Sequence, residues 1–302
     1  GRPPGGPSRP RGEKTVASLV FSRHICFNGP VTVHNHPHRK GVFMKKTGLV
    51  VVFALLLAGT AASAVLAADD SWDRVKKTGK LTIGIDDAFP PMEFRNEKNE
   101  LVGFDIDASR ELGRRLGIKI EHIPTVWDTV ILSLKAKKFD IVWSGMSITA
   151  EREKEIAFTR PYIMEKQVVV VKAGNKKIRS LADVGKDTVV GVQLGSTSEE
   201  ALAKLDRTFK EIKKYDKNTD AFMDLSIGRI DALAVDELVG RYYLSQKPGQ
   251  FVVLKEELTS EPIGIGLRKE DVALRNKIQS TLDAMFKDGT MKKISIKWFG
   301  DD

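Results

Sequence analysis

From residue 80 onward, short β-rich runs alternate with stretches whose apolar residues recur at helical spacing. This alternation is typical of α/β proteins built from strand–helix units. It predicts strands at residues 81–85, 119–122, 140–143, 167–171, 189–192, 232–235, 251–254 and 263–267, and helices at residues 107–116, 130–136, 198–205, 221–227, 237–244, 272–287 and 291–299. Gly289 is predicted to end the helix at 272–287, because glycine adopts the left-handed conformation without steric cost.

The segment after residue 80 is long enough for one large domain or for two of about 100 residues each. It contains no internal repeat and no linker rich in Pro, Gly or Ser. Two lobes joined by more than one strand would hide their boundary in this way. Such a fold leaves a cleft between the lobes, which is a usual location for small-ligand sites.

Residues 44–67 have the three parts of a secretory signal: Met44 and two lysines, an eleven-residue apolar run, and small residues up to Ala67. The run is shorter than the roughly 20 residues that a membrane-spanning helix needs. We therefore expect a cleaved signal peptide and a periplasmic or extracellular protein. Cleavage is expected after Ala67, with Ala64 as the alternative site; a retained N-terminal anchor is the alternative outcome.

Two further features of the N-terminal region bear on processing. Thr60 stands where a bacterial lipoprotein would carry its lipid-bearing cysteine, so the chain is not expected to be a lipoprotein. Residues 1–43 are rich in Pro, Gly and Arg, lack periodicity and precede the first methionine. We expect a disordered leader or a mis-assigned start there.

The charge of the chain is concentrated at its N-terminus. The whole sequence carries a formal net charge of +9, but residues 1–67 hold nine basic residues and one acid, which leaves +1 for the remainder. A nearly neutral body gives no support for a nucleic-acid partner. Cys26 and all histidines except His122 also precede residue 68, so cysteine nucleophiles, Cys/His zinc sites and disulfides are not expected in the body.

The segment from Ser144 to Arg152, SGMSITAER, directly follows an apolar run. Thr149 is predicted to cap a helix, which would place Arg152 in the first turn beside unpaired backbone N–H groups. The helix dipole disfavours a cation there, so the arrangement favours an anion held by the guanidinium fork and the free amides. The alternative is an ion pair of Arg152 with Glu151 or Glu155 on a solvated face.

The segment 191–200, GVQLGSTSEE, follows another apolar run and opens another predicted helix. Thr197 and Glu200 fit a capping box, and the glycine would let the backbone approach a ligand closely. Two hydroxyl-rich helix starts, each after a strand, could therefore face each other across a cleft.

Asp236 ends a further apolar run. It either caps the following helix or, at the carboxyl end of a strand, holds an ammonium group.

Pro90 and Pro91 stop the first strand and fix a loop that presents Phe89. Phe89 and Trp127 are either core aromatics or the walls of a slot for an aliphatic or cationic side chain. An anion clamp, an ammonium acceptor and an aromatic slot together indicate a receptor for a free α-amino acid, without a catalytic group.

The order of these segments resembles that of the bacterial extracellular solute-binding proteins of family 3, the amino-acid receptors of ABC importers. The resemblance runs from about residue 79 to residue 299. It rests on FPP at 89–91, GFDIDASRELG at 103–113, SGMSITAER at 144–152, FTRPY at 158–162, GST at 195–197, the two acids of DALAVD at 231–236, and KDGT and KWFG near the end. Ala108 departs from the larger apolar residue that is usual in the second of these segments, which affects packing.

The resemblance implies a two-lobed α/β fold of the type II periplasmic-binding-protein class, with the ligand in the interlobe cleft. Two hinge crossovers are expected near residues 162–166 and 259–263. Lobe 1 would comprise residues 78–163 and 264–302, and lobe 2 residues 167–260. Arg152 and Asp236 would then lie on different lobes, so a ligand carrying both charges would stabilise the closed form by differential contact.

The same comparison implies roles for individual residues. Arg152 would hold the ligand α-carboxylate, helped by Ser147 and the backbone at Thr197. Asp236 would receive the α-ammonium, together with Gly145 and Ser147. Further residues would contact the ligand side chain, with Phe89 and Trp127 stacking on it and Asp86, Asp105, Ser144 and Gln193 reading its far end.

The resemblance implies a monomeric receptor that delivers a polar L-amino acid to the permease subunits of an ABC importer, with no cofactor and no metal. Asp86 and Asp105 near two aromatic rings favour a basic ligand such as arginine, lysine or histidine, since a buried cation needs a countercharge. Glutamine or another polar amino acid is the alternative, because an amide could also bond to Asp86. Phe89 stands where many receptors for basic amino acids have tyrosine.

Two alternatives from other classes are open. One is an enzyme like the periplasmic cyclohexadienyl dehydratases, which would need an acidic proton donor in the cleft. Asp236 is better suited to hold an ammonium group, so we do not expect an enzyme. The other is a sensor domain that signals through a separate membrane protein.

Overall fold

The computed structural model describes residues 69–300. The predicted signal peptide and the predicted leader lie outside these residues. The helices are α1 Ser71–Thr78, α2 Phe104–Leu116, α3 Val130–Lys135, α4 Ala150–Glu155, α5 Thr197–Lys204, α6 Asn218–Ile227, α7 Glu237–Gln246, α8 Val272–Lys287 and α9 Thr290–Phe299, with short 3-10 turns at Trp127–Thr129 and Leu181–Asp183. The strands are β1 Lys80–Ile85, β2 Ala88–Phe89, β3 Glu93–Arg95, β4 Leu101–Val102, β5 Lys119–Pro124, β6 Ile141–Val142, β7 Ala157–Phe158, β8 Ile163–Lys172, β9 Val189–Gln193, β10 Glu211–Tyr215, β11 Ala232–Asp236, β12 Phe251–Ile263 and β13 Gly266–Leu267.

Two five-stranded sheets organise these elements into two lobes. The sheet of the first lobe has the order β5-β1-β6-β13-β7, and that of the second lobe has the order β10-β9-β11-β8-β12. In each sheet, three successive strands run parallel, as strand–helix–strand units require, and the other two are antiparallel to their neighbours. A small antiparallel sheet, β2-β3-β4, accompanies the first lobe.

The chain crosses between the two lobes twice. It leaves the first sheet after β7, enters the second with β8, and returns between β12 and β13. The two crossovers lie side by side, because Ile163 at the start of β8 pairs with Ile263 at the end of β12. These paired segments are positioned to act as a hinge.

The central strands are buried on both faces. All five residues of β11 are buried, as are Val168 to Val171 of β8. Such continuous apolar runs are expected where helices cover both faces of a sheet. The carboxyl ends of β1 and β6 in the first lobe, and of β9 and β11 in the second, carry the segments described below.

The predicted strands and helices correspond to observed elements, with one strand wrong. The predicted strand 263–267 is divided, because Ile263 pairs with Ile163 in the second sheet whereas Gly266 pairs with Val142 in the first. The predicted strand 251–254 continues to residue 263, and the helix at 272–287 ends before Gly289, whose φ is +76°.

Candidate functional site

A cavity with about 290 Å³ of empty space lies between the two lobes. The cavity is lined by Asp86, Phe89, Trp127, Ser144, Gly145, Ser147, Arg152, Gln193, Ser196, Thr197 and Asp236. The structure therefore brings together every residue that the sequence singled out except Asp105, and it adds Ser196.

The ends of two neighbouring strands hold the first-lobe part of the cavity. Asp86 follows β1 and Ser144 lies just beyond β6. The Ser144 Oγ atom accepts a hydrogen bond from the Asp86 N–H at 2.9 Å, and the hydroxyl donates to the Glu93 carboxyl group. The side chain of Ser144 therefore fixes the two loops relative to each other.

Arg152 lies almost fully buried in the first turns of α4. Thr149 caps this helix, as predicted, by accepting a hydrogen bond from the Arg152 N–H at 3.2 Å. The guanidinium donates from Nη1 to the Ser147 carbonyl at 3.1 Å and from Nη2 to the Gly195 carbonyl of the other lobe at 3.3 Å. It also lies 5.7 Å from the centroid of the Trp127 ring.

The charge of this guanidinium is not neutralised by a close acid. Among residues 69–300, no carboxylate lies within ion-pair distance of Arg152, and Glu155 pairs instead with Lys135. The solvated ion pair considered from the sequence is therefore not formed. Burial lowers the pKa of Arg152, opposed by the more distant charges of Glu200, Glu261 and Asp236. A buried arginine with backbone partners alone favours an anion beside it.

The second helix start is capped one residue earlier than predicted. Ser196 is the N-cap of α5: its Oγ accepts from the Glu199 N–H at 3.2 Å, and the Glu199 carboxylate accepts from the Gly195 N–H at 2.8 Å. The predicted capping box of Thr197 and Glu200 is wrong, because the turn at Gly195, with φ +74°, ends the loop one residue sooner. The Thr197 hydroxyl is thereby left to face the cavity.

The lobes approach each other closely at this helix start. The Thr197 Oγ1 atom lies 3.4 Å from Ser147 Oγ of the first lobe. A Cβ atom added to Gly195 would lie 2.7 Å from the Cα of Asp128, which also belongs to the first lobe. Glycine is therefore required at residue 195 for this closed arrangement.

Asp236 ends β11 and is buried in the wall of the cavity. Its side chain makes no capping bond to α7; instead its Oδ1 atom accepts a hydrogen bond from Gln167 Nε2 at 2.7 Å. Burial raises the pKa of Asp236 to about 6, with Glu261 adding to the rise, whereas the Gln167 bond and Arg152 oppose it. An ammonium group in the cavity would compensate the buried charge.

Gln167 was not singled out from the sequence. It lies in β8 with its side chain fully buried, and its Oε1 atom accepts a hydrogen bond from the Ser198 hydroxyl of α5. One amide thus connects Asp236 to the helix that begins at Thr197. The only signal in the sequence was a polar residue at the head of an apolar strand.

Asp86 and Gln193 meet across the cavity from opposite lobes. The Gln193 Nε2 atom donates to Asp86 Oδ2 at 2.6 Å and to the Asp216 carbonyl at 3.0 Å, and its Oε1 accepts from Asn218 Nδ2 at 3.0 Å. Burial raises the pKa of Asp86, and the Gln193 bond opposes this rise. Both side chains therefore have fixed orientations in the wall of the cavity.

Asp105 does not line the cavity, although the sequence interpretation placed it among the ligand contacts. It begins the first turn of α2 and is buried behind the cavity wall. Its carboxylate accepts hydrogen bonds from Trp143 Nε1, the Gly145 N–H and the Tyr162 hydroxyl, each at 2.9 Å. These three bonds tie the carboxylate to the wall of the cavity, which it supports from behind.

The cavity offers two opposite charges, hydroxyl groups and two aromatic walls, with fixed polar groups at its far end. Within the described part of the chain, no group of three or more His, Cys, Asp or Glu side chains could hold a metal ion. None of the helices between residues 69 and 300 is long and apolar enough to cross a membrane.

Residues 81–301 match the family described as bacterial extracellular solute-binding proteins, family 3. The chain belongs to this family. Among relatives from Escherichia coli K12, the L-cystine-binding protein TcyJ is 31% identical over 257 residues, covering 85% of this chain and 96% of the relative. ABC transporter arginine-binding protein 1 is 35% identical, covering 73% and 90%. The histidine-binding periplasmic protein is 36% identical, covering 86% and 98%.

Solved structures show the same two-lobed architecture of the type II periplasmic binding fold. An ancestral arginine-binding protein bound to glutamine is 42% identical, with a TM-score of 0.69 over 74% of this chain and 99% of that chain. A substrate-binding protein of an ABC uptake transporter from Streptococcus pneumoniae, with bound histidine, is 32% identical, with a TM-score of 0.73 over 78% and 98%. AncCDT-1, an ancestral amino acid-binding protein and precursor of cyclohexadienyl dehydratase, is 40% identical, with a TM-score of 0.71 over 75% and 98%. The α/β class and the two-lobed fold predicted from the sequence are confirmed.

Proposed function

We propose that this protein is a secreted receptor that binds a free L-amino acid between its lobes and delivers it to the permease subunits of an ABC importer. The observation that carries the proposal is the placement of Arg152 and Asp236. They are buried in one cavity, on opposite lobes, and carry opposite charges. A molecule with a carboxylate and an ammonium group on one carbon matches that pair. The relatives that bind cystine, arginine and histidine support the same ligand class.

In this proposal Arg152 binds the α-carboxylate, with the Ser147 hydroxyl and the backbone at Thr197 as further donors. Asp236 accepts the α-ammonium, and Gly145 and Ser147 contribute their carbonyl or hydroxyl groups. Phe89 and Trp127 enclose the ligand side chain. Ser144, Asp86 and Gln193 then contact its polar end.

The expected ligand is a polar amino acid, and the basic amino acids are the first candidates. The Asp86 carboxylate would face a cationic side chain, while its bond to Gln193 shows that an amide nitrogen also fits against it. Glutamine is therefore the second candidate, and an ancestral arginine-binding protein bound to glutamine supports keeping both.

The proposal also covers cleavage of the signal peptide and the division of the chain into two lobes. We place the signal peptide at residues 44–67 and the lobe limits at 78–163 with 264–302 for lobe 1 and 167–260 for lobe 2. The positions of the two sheets support this division. The mature protein is proposed to be a monomer that the permease recognises in its closed form.

Titration calorimetry of the mature protein with each of the twenty L-amino acids and L-cystine tests the proposal. We expect micromolar or tighter binding of at least one polar amino acid and its loss in Arg152→Ala. The two-charge requirement is tested with analogues of that ligand that lack the carboxylate or carry an acetylated amine, both of which should fail to bind. Absence of heat and of any thermal shift with the whole panel would show that the cavity has another purpose.

A dehydratase activity is the competing function, because AncCDT-1 is a precursor of such an enzyme. We propose that this chain is not an enzyme, since Asp236 and the Arg152 guanidinium line one cavity and match the two charges of an amino acid. Incubation with prephenate and arogenate should leave both unchanged; formation of phenylpyruvate or phenylalanine would reverse the assignment.

A further inference from the structure

Two acidic side chains, Glu93 and Asp105, lie within hydrogen-bonding reach of each other behind the wall of the cavity. Glu93 of β3 is 0% exposed and Asp105 of α2 is 1% exposed. Between them and the cavity lie Ser144 and Gly145, which the proposed function assigns to the ligand site. Glu93 was not among the residues singled out from the sequence.

The two acids have very different hydrogen-bond partners. Asp105 accepts from three donors, namely the Trp143 indole, the Gly145 N–H and the Tyr162 hydroxyl. Glu93 Oε1 accepts only from the Ser144 hydroxyl, and Glu93 Oε2 has no donor among residues 69–300. Three donors stabilise a charged carboxylate, whereas one hydroxyl does little for a second charge at the same place.

The charges around Glu93 are also unfavourable to a carboxylate there. The charged groups that act on it are Asp105 from α2 and Asp86 from the loop after β1, and the Tyr162 hydroxyl from the crossover belongs to the same cluster. Burial and then the charge of Asp105 raise the pKa of Glu93 well above its ordinary value. Burial also raises the pKa of Asp105 to about 7, opposed by its three donors.

We infer that Glu93 is a positioning residue of the ligand site, acting as a neutral carboxyl group that accepts from Ser144 and donates its proton to Asp105. This inference rests on the proposed function for the identity of the site. A protonated carboxyl is the one form of Glu93 that can be an acceptor and a donor at once.

The pair holds the ligand-binding segment in a left-handed turn that requires glycine. Gly145 has φ +52°, and a Cβ atom there would lie 2.5 Å from the Phe89 ring. The bond from the Gly145 N–H to Asp105 fixes this turn, and the bond from Ser144 to Glu93 fixes the residue before it. Removing the neutral carboxyl would free Ser144 directly and would leave Asp105, which holds Gly145, without the proton that Glu93 donates to it.

The test compares Glu93→Gln with Glu93→Ala, using L-arginine and L-glutamine as calorimetric probes. Glutamine can accept from Ser144 and donate to Asp105, as the protonated acid does. We expect Glu93→Gln to bind within about threefold of the unmodified protein at pH 6–7 and Glu93→Ala to bind at least about tenfold more weakly. Glu100→Gln, the same change at an exposed site, is the matched control and should alter nothing.

Infrared spectroscopy at pH 7 tests the proton itself, without a ligand. The carbonyl stretch of protonated carboxylic acids should lose intensity in Glu93→Gln and keep it in Glu100→Gln. An unchanged band, or a Glu93→Gln protein that binds as weakly as Glu93→Ala, would overturn the inference. If neither probe binds the unmodified protein, arginine and glutamine are excluded as its ligands, while the infrared result still decides the state of Glu93.

Discussion

Arg152 acts through the shape of its side chain as well as its charge. Its two terminal nitrogens contact carbonyl groups on different lobes, at Ser147 and Gly195. A guanidinium carries further N–H donors that can bind an anion. A lysine keeps the charge but cannot make both contacts. We therefore expect Arg152→Lys to weaken ligand binding by at least about tenfold in calorimetry.

A matched change at Arg160 is the control for this prediction. Arg160 is exposed and pairs with Asp283 away from the cavity. Arg160→Lys should leave the dissociation constant within about twofold, because exposed ion pairs contribute little. Equal losses in the two variants would mean that Arg152 has no specific role.

The buried carboxylate of Asp236 predicts a pH dependence of binding. Its pKa in the free protein is raised to about 6, and an ammonium ligand favours the charged form. Affinity is therefore full above pH 6 and falls as Asp236 takes up a proton below it. From pH 7.5 to pH 5 we expect the dissociation constant to rise about tenfold for arginine or glutamine, whose charges do not change over this range.

Asp236→Asn is the comparison for the pH series. It should bind weakly at every pH and lose the fall below pH 6. Calorimetry in buffers of matched ionic strength measures both proteins. A flat profile for the unmodified protein would show that the ligand does not contact the charged form of Asp236.

At the scale of single elements, the sequence predicted the helix starts better than their caps. Hydroxyl residues after apolar strands predicted the beginnings of α4 and α5, and Thr149 caps α4 as expected. The cap of α5 moved to Ser196 because the positive φ of Gly195 sets the turn, and no local spacing distinguishes two adjacent hydroxyl residues. The edge strand β10, EIKKY, was missed because its lysines obscure the β pattern.

A second prediction at the scale of an element concerns Gln167 of strand β8 and its effect on ligand binding. Gln167 connects Asp236 to the start of α5, and sequence alone could not show which buried groups its amide would reach. Gln167→Leu keeps the size but removes both bonds. We expect ligand binding to weaken about tenfold, since the Asp236 carboxylate loses the hydrogen bond from the Gln167 amide.

Lys166→Gln is the control on the same strand. Lys166 is exposed and pairs with Glu257, so its loss should change ligand affinity by less than about twofold. Thermal unfolding of both variants separates lost binding from lost folding. Unchanged affinity in Gln167→Leu would assign the amide to packing of the second lobe alone.

At the scale of the whole molecule, the sequence predicted most of the residues that line the cavity but not how the lobes touch. Gln193 and Asp86 are far apart in the chain, and their direct bond depends on the final angle between the lobes. The same holds for Asp105. The sequence interpretation placed its carboxylate among the ligand contacts, but in the folded protein it accepts hydrogen bonds from Trp143 and Tyr162. Such contacts arise from tertiary packing, which the local sequence pattern does not specify.

The interlobe ion pair of Asp87 and Lys217 gives the last prediction. Lys217 Nζ of the second lobe lies 2.9 Å from Asp87 Oδ1 of the first, while Asp87 Oδ2 accepts from Arg95 of its own lobe at 2.7 Å. The Lys217 bond exists only when the lobes are closed, so it adds to the closed form and to ligand affinity. Because Lys217 is 49% exposed, the pair is worth about 0.2–1 kcal/mol, and Lys217→Gln should weaken binding by about 1.5- to 5-fold.

Salt separates this effect from a general loss of stability. The difference between Lys217→Gln and the unmodified protein should shrink when the ionic strength rises from about 0.01 M to about 1 M, because the screening length falls from about 30 Å to about 3 Å. Lys135→Gln removes a similarly exposed pair that lies wholly within the first lobe, and it should leave affinity unchanged at both salt concentrations. Small-angle scattering of the ligand-free proteins should show a larger radius of gyration for Lys217→Gln alone. If Lys135→Gln had the same effect, the contribution of Asp87 and Lys217 would belong to surface charge and not to closure.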